Sequence, residues 1–422
     1  MGEIMGKLYI LYLKNRCKKI ARHKARKKFK RIKRLNRKYF YSINNSQKNF
    51  KKGEFYKIPS VINKKSCTIT IPEKFNLIDN PNESLDTLKE INYVFEKSRC
   101  RELHFDYSNC VNLGLDASVI CDLLVKNGKE YRKSVGKKIT LSGNLPQGYY
   151  NQELFFNSGL LRHLKLVKRE DKLVERLEPF VDDKDVNKLT NDTIAYYNKC
   201  LQRYGVELNA SGIDYFTKLV GEIIGNASEH SGDNGDWYVS GHFTQAGNQE
   251  CGRGSLVFVS IGNTIYENLK YNTKSDDTKH KLEEHLKLHK PLFGLNWNEE
   301  TSLTVLGLQY KISSETDLKH PDRGTGTIKF IDSFSKLGKK IDGDNPKMSI
   351  LSGNTHILFD GTYNLEEKQI GDSKIKTIAF NKNNNIKEKP DQKYVKLLNN
   401  YFPGVIISVN FYVDKRYLRI KE

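Results

Sequence analysis

Residues 221–232 read GEIIGNASEHSG, and the helix they imply has to satisfy two demands at once. At about 100° per residue, Phe216, Leu219, Ile223 and Ala227 form an apolar stripe that needs a core to cover it. Glu222, Asn226 and Glu229 fall within about 60° of one another along one border of that stripe. A carboxylate and an amide one turn apart at the rim of a core either face water or face something that needs them. Such a carboxylate can orient water or take a proton, and an amide oxygen can ligate a divalent metal. A purely solvated face would tolerate any polar residue here, so the choice rests on the downstream sequence.

Three downstream stretches bear on it. VFVSIGNTI, 257–265, is a hydrophobic strand running into a glycine turn. DRGTGT, 322–327, is a glycine-rich turn opening a helix from Ile328 to Leu337, whose free N–H groups and positive dipole end suit phosphate. MSILSGNTHILF and GVIISVNF supply strands, the first within a region (KMSILSGNTHILFDGTYN) that reads as paired strands. No G-x-x-x-x-G-K-[ST] loop is present, so any phosphate site has to use the glycine turn.

In this order the motifs resemble the Bergerat ATP-binding fold of the gyrase, chaperone, histidine-kinase and mismatch-repair (GHKL) superfamily, over about 210 residues. The resemblance implies that EIIGNASEH is the N box, with Glu222 as the water-orienting general base, Asn226 as the Mg²⁺ ligand and His230 at the helix end. SIGNTI is similar to the G1 box, with Gly262 as its glycine and Ser260 where an aspartate normally accepts from the adenine amino group. GTGT is similar to the G2 box, so Gly324, Thr325, Gly326 and Thr327 would meet the phosphates. The implied cofactors are ATP and Mg²⁺, and the insert 266–321 corresponds to the ATP lid. Two departures stand out. Serine at 260 removes a charged acceptor, and a charge-assisted hydrogen bond contributes roughly 1.5–3 kcal/mol against ~1 for a neutral one. Thr264 replaces the second G1 glycine. In the lid, HKLEEHLKLHK sets His285 and His289 four apart, but its charges favour a solvated helix over a metal pair.

Upstream, SCTITIP, RELHFDYSNC and KKITLSGN read as strands, alternating with helices at NESLDTLKEINYVFEKS, GLDASVICDLLVKNG and NQELFFNSGLLRHL. That order resembles the STAS-like fold of anti-sigma-factor antagonists, over about 110 residues. The family's phosphorylatable serine would fall nearest Ser118, but the spacing from Asp106 is too long and Ser118 reads as an ordinary helix residue.

Charge is strongly segregated. Residues 1–52 hold 19 of the 71 Lys and Arg and one of the 50 acids, so this arm carries +18 of the net +21. Ile20, Ala25, Phe29, Ile32, Leu35 and Tyr39 recur there at roughly helical spacing. A polyanion would neutralise such a helix, nucleic acid ahead of a membrane face. The seven cysteines are scattered with no C-x-x-C, which fits reduced thiols in the cytoplasm. The LYILYL run at 8–13 is too short to span a bilayer.

The fold class expected is therefore α/β (α+β). It comprises a basic helical arm (1–57), a STAS-like α/β domain (58–175), a helical connector (176–210) and a Bergerat-type α/β sandwich (211–422). In the last unit Ser211 is expected to cap the N-box helix, and NKNNNIKEKPDQK, 381–393, has the composition of a disordered loop. The expected function is an ATP-binding regulatory switch whose lid changes partner docking, through the STAS-like domain or otherwise. A serine kinase of the partner-switching type, or a nucleic-acid-binding protein on a degenerate ATPase scaffold, are the alternatives.

Overall fold

The structure, a computed structural model, describes residues 65–159, 185–230, 236–244, 253–294, 296–309, 312, 326–337, 346–370 and 373–421. The basic arm, and the part of the glycine-rich turn holding Gly324 and Thr325, lie outside the described residues. The described chain is mixed α/β with several sheets. None of its helices is long and apolar enough to cross a membrane.

The N-terminal unit is built on three parallel strands, β1 (Ser66–Thr70), β3 (Glu102–Asp106) and β5 (Thr140–Gly143), in the order β1-β3-β5. A short parallel pair, β2 (Lys74–Phe75) and β4 (Asn112–Leu113), flanks them. The crossovers are α1 (Pro81–Lys97) and α2 (Leu115–Ser134), and α3 (Tyr149–Asn157) follows β5. Alternation decides which face is buried: Cys67 and Ile69 point inward while Ser66, Thr68 and Thr70 are exposed.

The second unit starts with α4 (Val186–Gln202), β6 (Val206–Leu208) and α5 (Ala210–His230). Its main sheet is antiparallel, with the order β7 (Asp236–Thr244), β8 (Arg253–Ile261), β12 (Val395–Tyr412) and β9 (Lys347–Phe359). Between β8 and β9 lie α6 (Ile265–Tyr271), α7 (Asp276–His289), α8 (Glu299–Leu306) and α9 (Gly326–Leu337). A hairpin of β10 (Glu366–Ile370) and β11 (Ser373–Thr377) follows β9, and β13 (Leu418–Ile420) pairs with β6. Region 347–364 thus holds one thirteen-residue strand rather than the paired strands expected, because β9 runs on through Gly353 at φ 59°.

Both faces of the antiparallel sheet are covered. Tyr238, Val257, Val259, Leu351 and Ile406 join the core of α1 and α2. Val239, Phe258, Ile350 and Ile407 join that of α4, α5 and α9. The described layers therefore stack as parallel sheet, α1 with α2, antiparallel sheet, and α4, α5 and α9. The C-terminal carbonyls of α1, which no helical N–H can reach, are met by Arg132 of α2. Its Nε donates to Phe95 O at 2.7 Å, and an Nη donates to Ser98 O at 2.9 Å and to Val94 O.

Three local expectations change. Asn209, not Ser211, caps α5, its Oδ1 accepting from Gly212 N at 2.9 Å. The asparagine-rich tract is ordered. Asn384 Oδ1 accepts from Ala379 N at 2.7 Å, and Asn381 Nδ2 donates to Asn385 O at 2.9 Å, so these amides replace missing backbone partners. His285 and His289 are buried and stacked with ring centroids 4.1 Å apart, not solvated. Trp297 Nε1 donates to His289 Nδ1 at 3.2 Å, which leaves Nε2–H to donate to Ile386 O at 2.8 Å. His285 Nε2 lies 2.9 Å from Ser302 Oγ. Burial pushes the His285 pKa down to about 4 and lowers that of His289 as well, so the stacked pair makes a neutral pin.

Arg132→Met keeps the aliphatic stem but strands the buried Phe95 and Ser98 carbonyls, while Val94 O keeps the Ser98 hydroxyl, so it should lower unfolding free energy by about 3 kcal/mol. Urea denaturation followed by far-UV circular dichroism checks this; an unchanged midpoint would show that water replaces the guanidinium.

Candidate nucleotide site

Helix α5 buries Phe216, Leu219, Val220, Ile223 and Ile224 and leaves Glu222 and Asn226 half-exposed at the border of that stripe. Helix α9 packs alongside it and starts at Gly326. A Cβ at Gly326 would overlap Glu222 Oε2 and stand 3.8 Å from Asn226 Nδ2. Two motifs about one hundred residues apart in sequence thus meet at one point. Glycine at 326 lets the Glu222 carboxylate come up against the backbone where α9 starts, an approach that any side chain there would block. Thr327 lies in the same first turn of α9. Lys329, one turn further on, has its Nζ 3.8 Å from Glu222 Oε1.

Ser260 sits near the end of β8, 7% exposed. In the sheet it is level with Trp237 on β7 and Val405 on β12, and Val405 is level with Ser352 on β9. Trp237 and Val405 pack into the core of α5 and α9, so this row of side chains shares the face on which Glu222 and Asn226 stand. The next residues form the expected turn. Gly262 has φ 155°, and its N–H donates to Pro403 O at 3.1 Å. Thr264, in the place of a second glycine, caps α6. Its Oγ1 accepts from Glu267 N at 3.1 Å, and Glu267 Oε2 accepts from Thr264 N at 2.8 Å. Threonine here has a structural task that glycine could not perform.

The structure therefore brings Glu222, Asn226, Gly326 and Thr327 to the paired helices and Ser260 and Gly262 to the adjoining sheet end. His230 ends α5, and its side chain, like Gly324 and Thr325, lies outside the described residues. Ser118 is buried and donates to Gly114 O at 2.7 Å, the ordinary helix residue expected. Among the described residues, no group of three or more His, Cys, Asp or Glu is placed to hold a metal.

The insert after the turn is fastened to the sheet as far as it is described. Ile265 N donates to Ser352 Oγ at 2.9 Å, Asn354 N to Glu300 Oε1 at 2.6 Å, and Thr355 Oγ1 to Thr301 Oγ1 at 3.2 Å. Burial pushes the Glu300 carboxyl up to about 7. Helices α6 to α8 thus form a pinned cap, and residues 295, 310, 311 and 313–321 of the expected lid lie outside the described residues.

Sequence reasoning missed Lys329, Tyr401, Pro403 and Gly404. Lys329 was legible as the residue one turn past Gly326. Gly404, at φ 135°, underlies the turn so closely that a Cβ would overlap the Ser260 carbonyl oxygen. Nothing in its local sequence announces that contact. Comparison with protein-family models, curated proteins and solved structures finds no match to this chain.

Glu300 has a folded-state pKa above its usual 4.5, so it contributes stability while neutral and loses that contribution as pH rises from 4.5 through about 7. Glu300→Gln should therefore raise the melting temperature more at pH 8 than at pH 5. Differential scanning fluorimetry at both values checks it; an equal shift at the two pH values would mean the carboxyl is not held neutral.

Proposed function

We propose that the face shared by Glu222, Asn226, Gly326 and Ser260 binds Mg·ATP, and that the chain is an ATP-responsive regulatory switch of the Bergerat type. The observation that carries this reading is the meeting of Glu222 and Asn226 with Gly326. A carboxylate, an amide and the backbone of a helix start converge there from distant sequence. The layer of antiparallel sheet against α4, α5 and α9, with Ser260 in the row of side chains that packs toward them, supports the GHKL resemblance.

Each residue then has a task. Ser260 accepts from the adenine amino group, and the turn at Gly262 lets the backbone come close to the base. The N–H groups at the start of α9 donate to phosphate oxygens. Asn226 supplies an amide oxygen to the metal, and bound Mg²⁺ would offset phosphate charge. Glu222 orients a water for slow hydrolysis, with Lys329 beside it as a competing cation. In the partner-switching kinase reading the chain's own Ser118 is a poor target, because it is buried and its hydroxyl is already bonded. The basic arm adds polyanion binding, with nucleic acid as the partner its charge and interleaved aromatics favour.

Mg·ATP at millimolar concentration should raise the melting temperature of the full chain, since a ligand that binds only the native state stabilises it. Asn226→Ala should remove the Mg²⁺-dependent part of the shift. Ser260→Asp should tighten ATP about ten-fold by restoring a charged acceptor, with no gain for GTP. A wild type that shows no shift at all would remove the nucleotide reading.

Deleting residues 1–52 should abolish binding to single-stranded oligonucleotides while leaving the ATP shift intact. In the full chain that binding should weaken steeply between about 50 and 200 mM salt, as counterion release requires. Fluorescence anisotropy checks both; stronger retention on anionic vesicles at matched salt would assign the arm to a membrane face.

A further inference from the structure

We propose that the irregular segment 399–404 of β12 is a regulatory link that joins helix α1 of the N-terminal unit to the turn of the candidate nucleotide site. Its regulatory meaning rests on the nucleotide reading above; the mechanical link does not.

The pairing of β12 with β9 loses register between Leu397 and Phe402 and again between Phe402 and Val405. Such irregularities release backbone and side chains from the ladder and re-aim them. Here they divide consecutive residues between two bodies. Toward the N-terminal unit, Asn399 N donates to Asn82 Oδ1 at 3.2 Å. Asn400 Nδ2 donates to Asn82 O at 3.2 Å and to Asp86 Oδ1 at 2.9 Å, while its Oδ1 accepts from Lys89 Nζ. Asn82, Asp86 and Lys89 are spaced four and three apart, so they form one stripe of α1.

Toward the site, Tyr401 OH donates to Glu267 Oε1 at 3.1 Å. Glu267 is the residue whose other oxygen holds Thr264 N in the capping box. Pro403 O accepts from Gly262 N, and Gly404 lies directly under the Ser260 carbonyl. Five of the six residues therefore hold Asn82, Asp86 and Lys89 of α1 at one end and Ser260, Gly262 and Glu267 at the other. Displacing α1 pulls Asn400, and the short covalent path for that displacement leads through Tyr401 and Pro403 into the turn. A ligand seated against Ser260 and Gly262 sends its effect back along the same path, as linkage requires.

The test reads backbone hydrogen exchange in the full chain, which reports local opening whether or not nucleotide binds. Asp86→Ala and Lys89→Met alter α1 and leave the residues of the turn itself unchanged. Each should speed exchange several-fold at residues 262–267 while leaving the middle of β7 and β8 unchanged, which also verifies folding. Tyr401→Phe, cutting the far end, should speed exchange at 264–267 and leave α1 as it is. Lys347→Ala is the control: it removes the 2.8 Å ion pair to Asp79, which crosses the same boundary between units without touching the segment. Exchange at 262–267 that ignores both α1 variants, or that responds equally to Lys347→Ala, overturns the link. With a fluorescent ATP analogue and Mg²⁺, the α1 variants should weaken affinity at least three-fold. A wild type that binds no analogue removes the nucleotide reading and leaves the exchange result to decide the link. Normal affinity in variants with altered exchange overturns the regulatory role.

Discussion

Strands β8 and β12 carry side chains into two cores at once, and this double burial constrains everything around them. Val257, Val259 and Ile406 pack against the N-terminal helices, while Phe258 and Ile407 pack against the layer that holds α5 and α9. An antiparallel sheet commonly leaves one face to water. Here neither face is free, so a shift of either strand perturbs both the N-terminal unit and the candidate site. The candidate site therefore borrows its rigidity from a domain that contributes none of its residues.

The boundary between the two units buries polar groups among its apolar ones. His242 and His356 are buried there and held neutral, both pushed down to about 3 chiefly by burial. Asp116, at the start of α2, accepts from Leu77 N at 3.1 Å and Ala117 N at 2.7 Å, yet burial still raises its carboxyl to about 6. A bonded buried group such as Asp116 contributes little net stability but tolerates few alternative arrangements, because misplacing it strands its donors.

The cap formed by α6 to α8 obeys the same logic. It packs a small core around Leu269, Leu282, Leu303 and Leu306 and is tied to β9 by hydrogen bonds on both sides. Its histidine pin reaches across to the ordered asparagine tract through Ile386 O. Each piece alone has too little apolar surface to stay folded, and each is ordered by contacts with the others.

Periodicity in the sequence determined most of the elements, because spacing of apolar residues by 3.6 or 2 is a local property. It located α5, α9, β7 and β8, and it set Glu222 and Asn226 on the rim of α5. Charge counting isolated the basic arm for the same reason. What only the tertiary structure decided is which polar residues are withdrawn from water. The charged neighbours of His285 and His289 argued for exposure, yet the stripe on which the two rings stack faces Trp297 and Ser302. The asparagine tract looked too polar to order, but its side chains bond to its own backbone, an arrangement composition does not express. Lys329 acquires meaning only beside Glu222, and Tyr401, Pro403 and Gly404 only beneath the turn. Those contacts join residues far apart in the chain, and no local pattern encodes them.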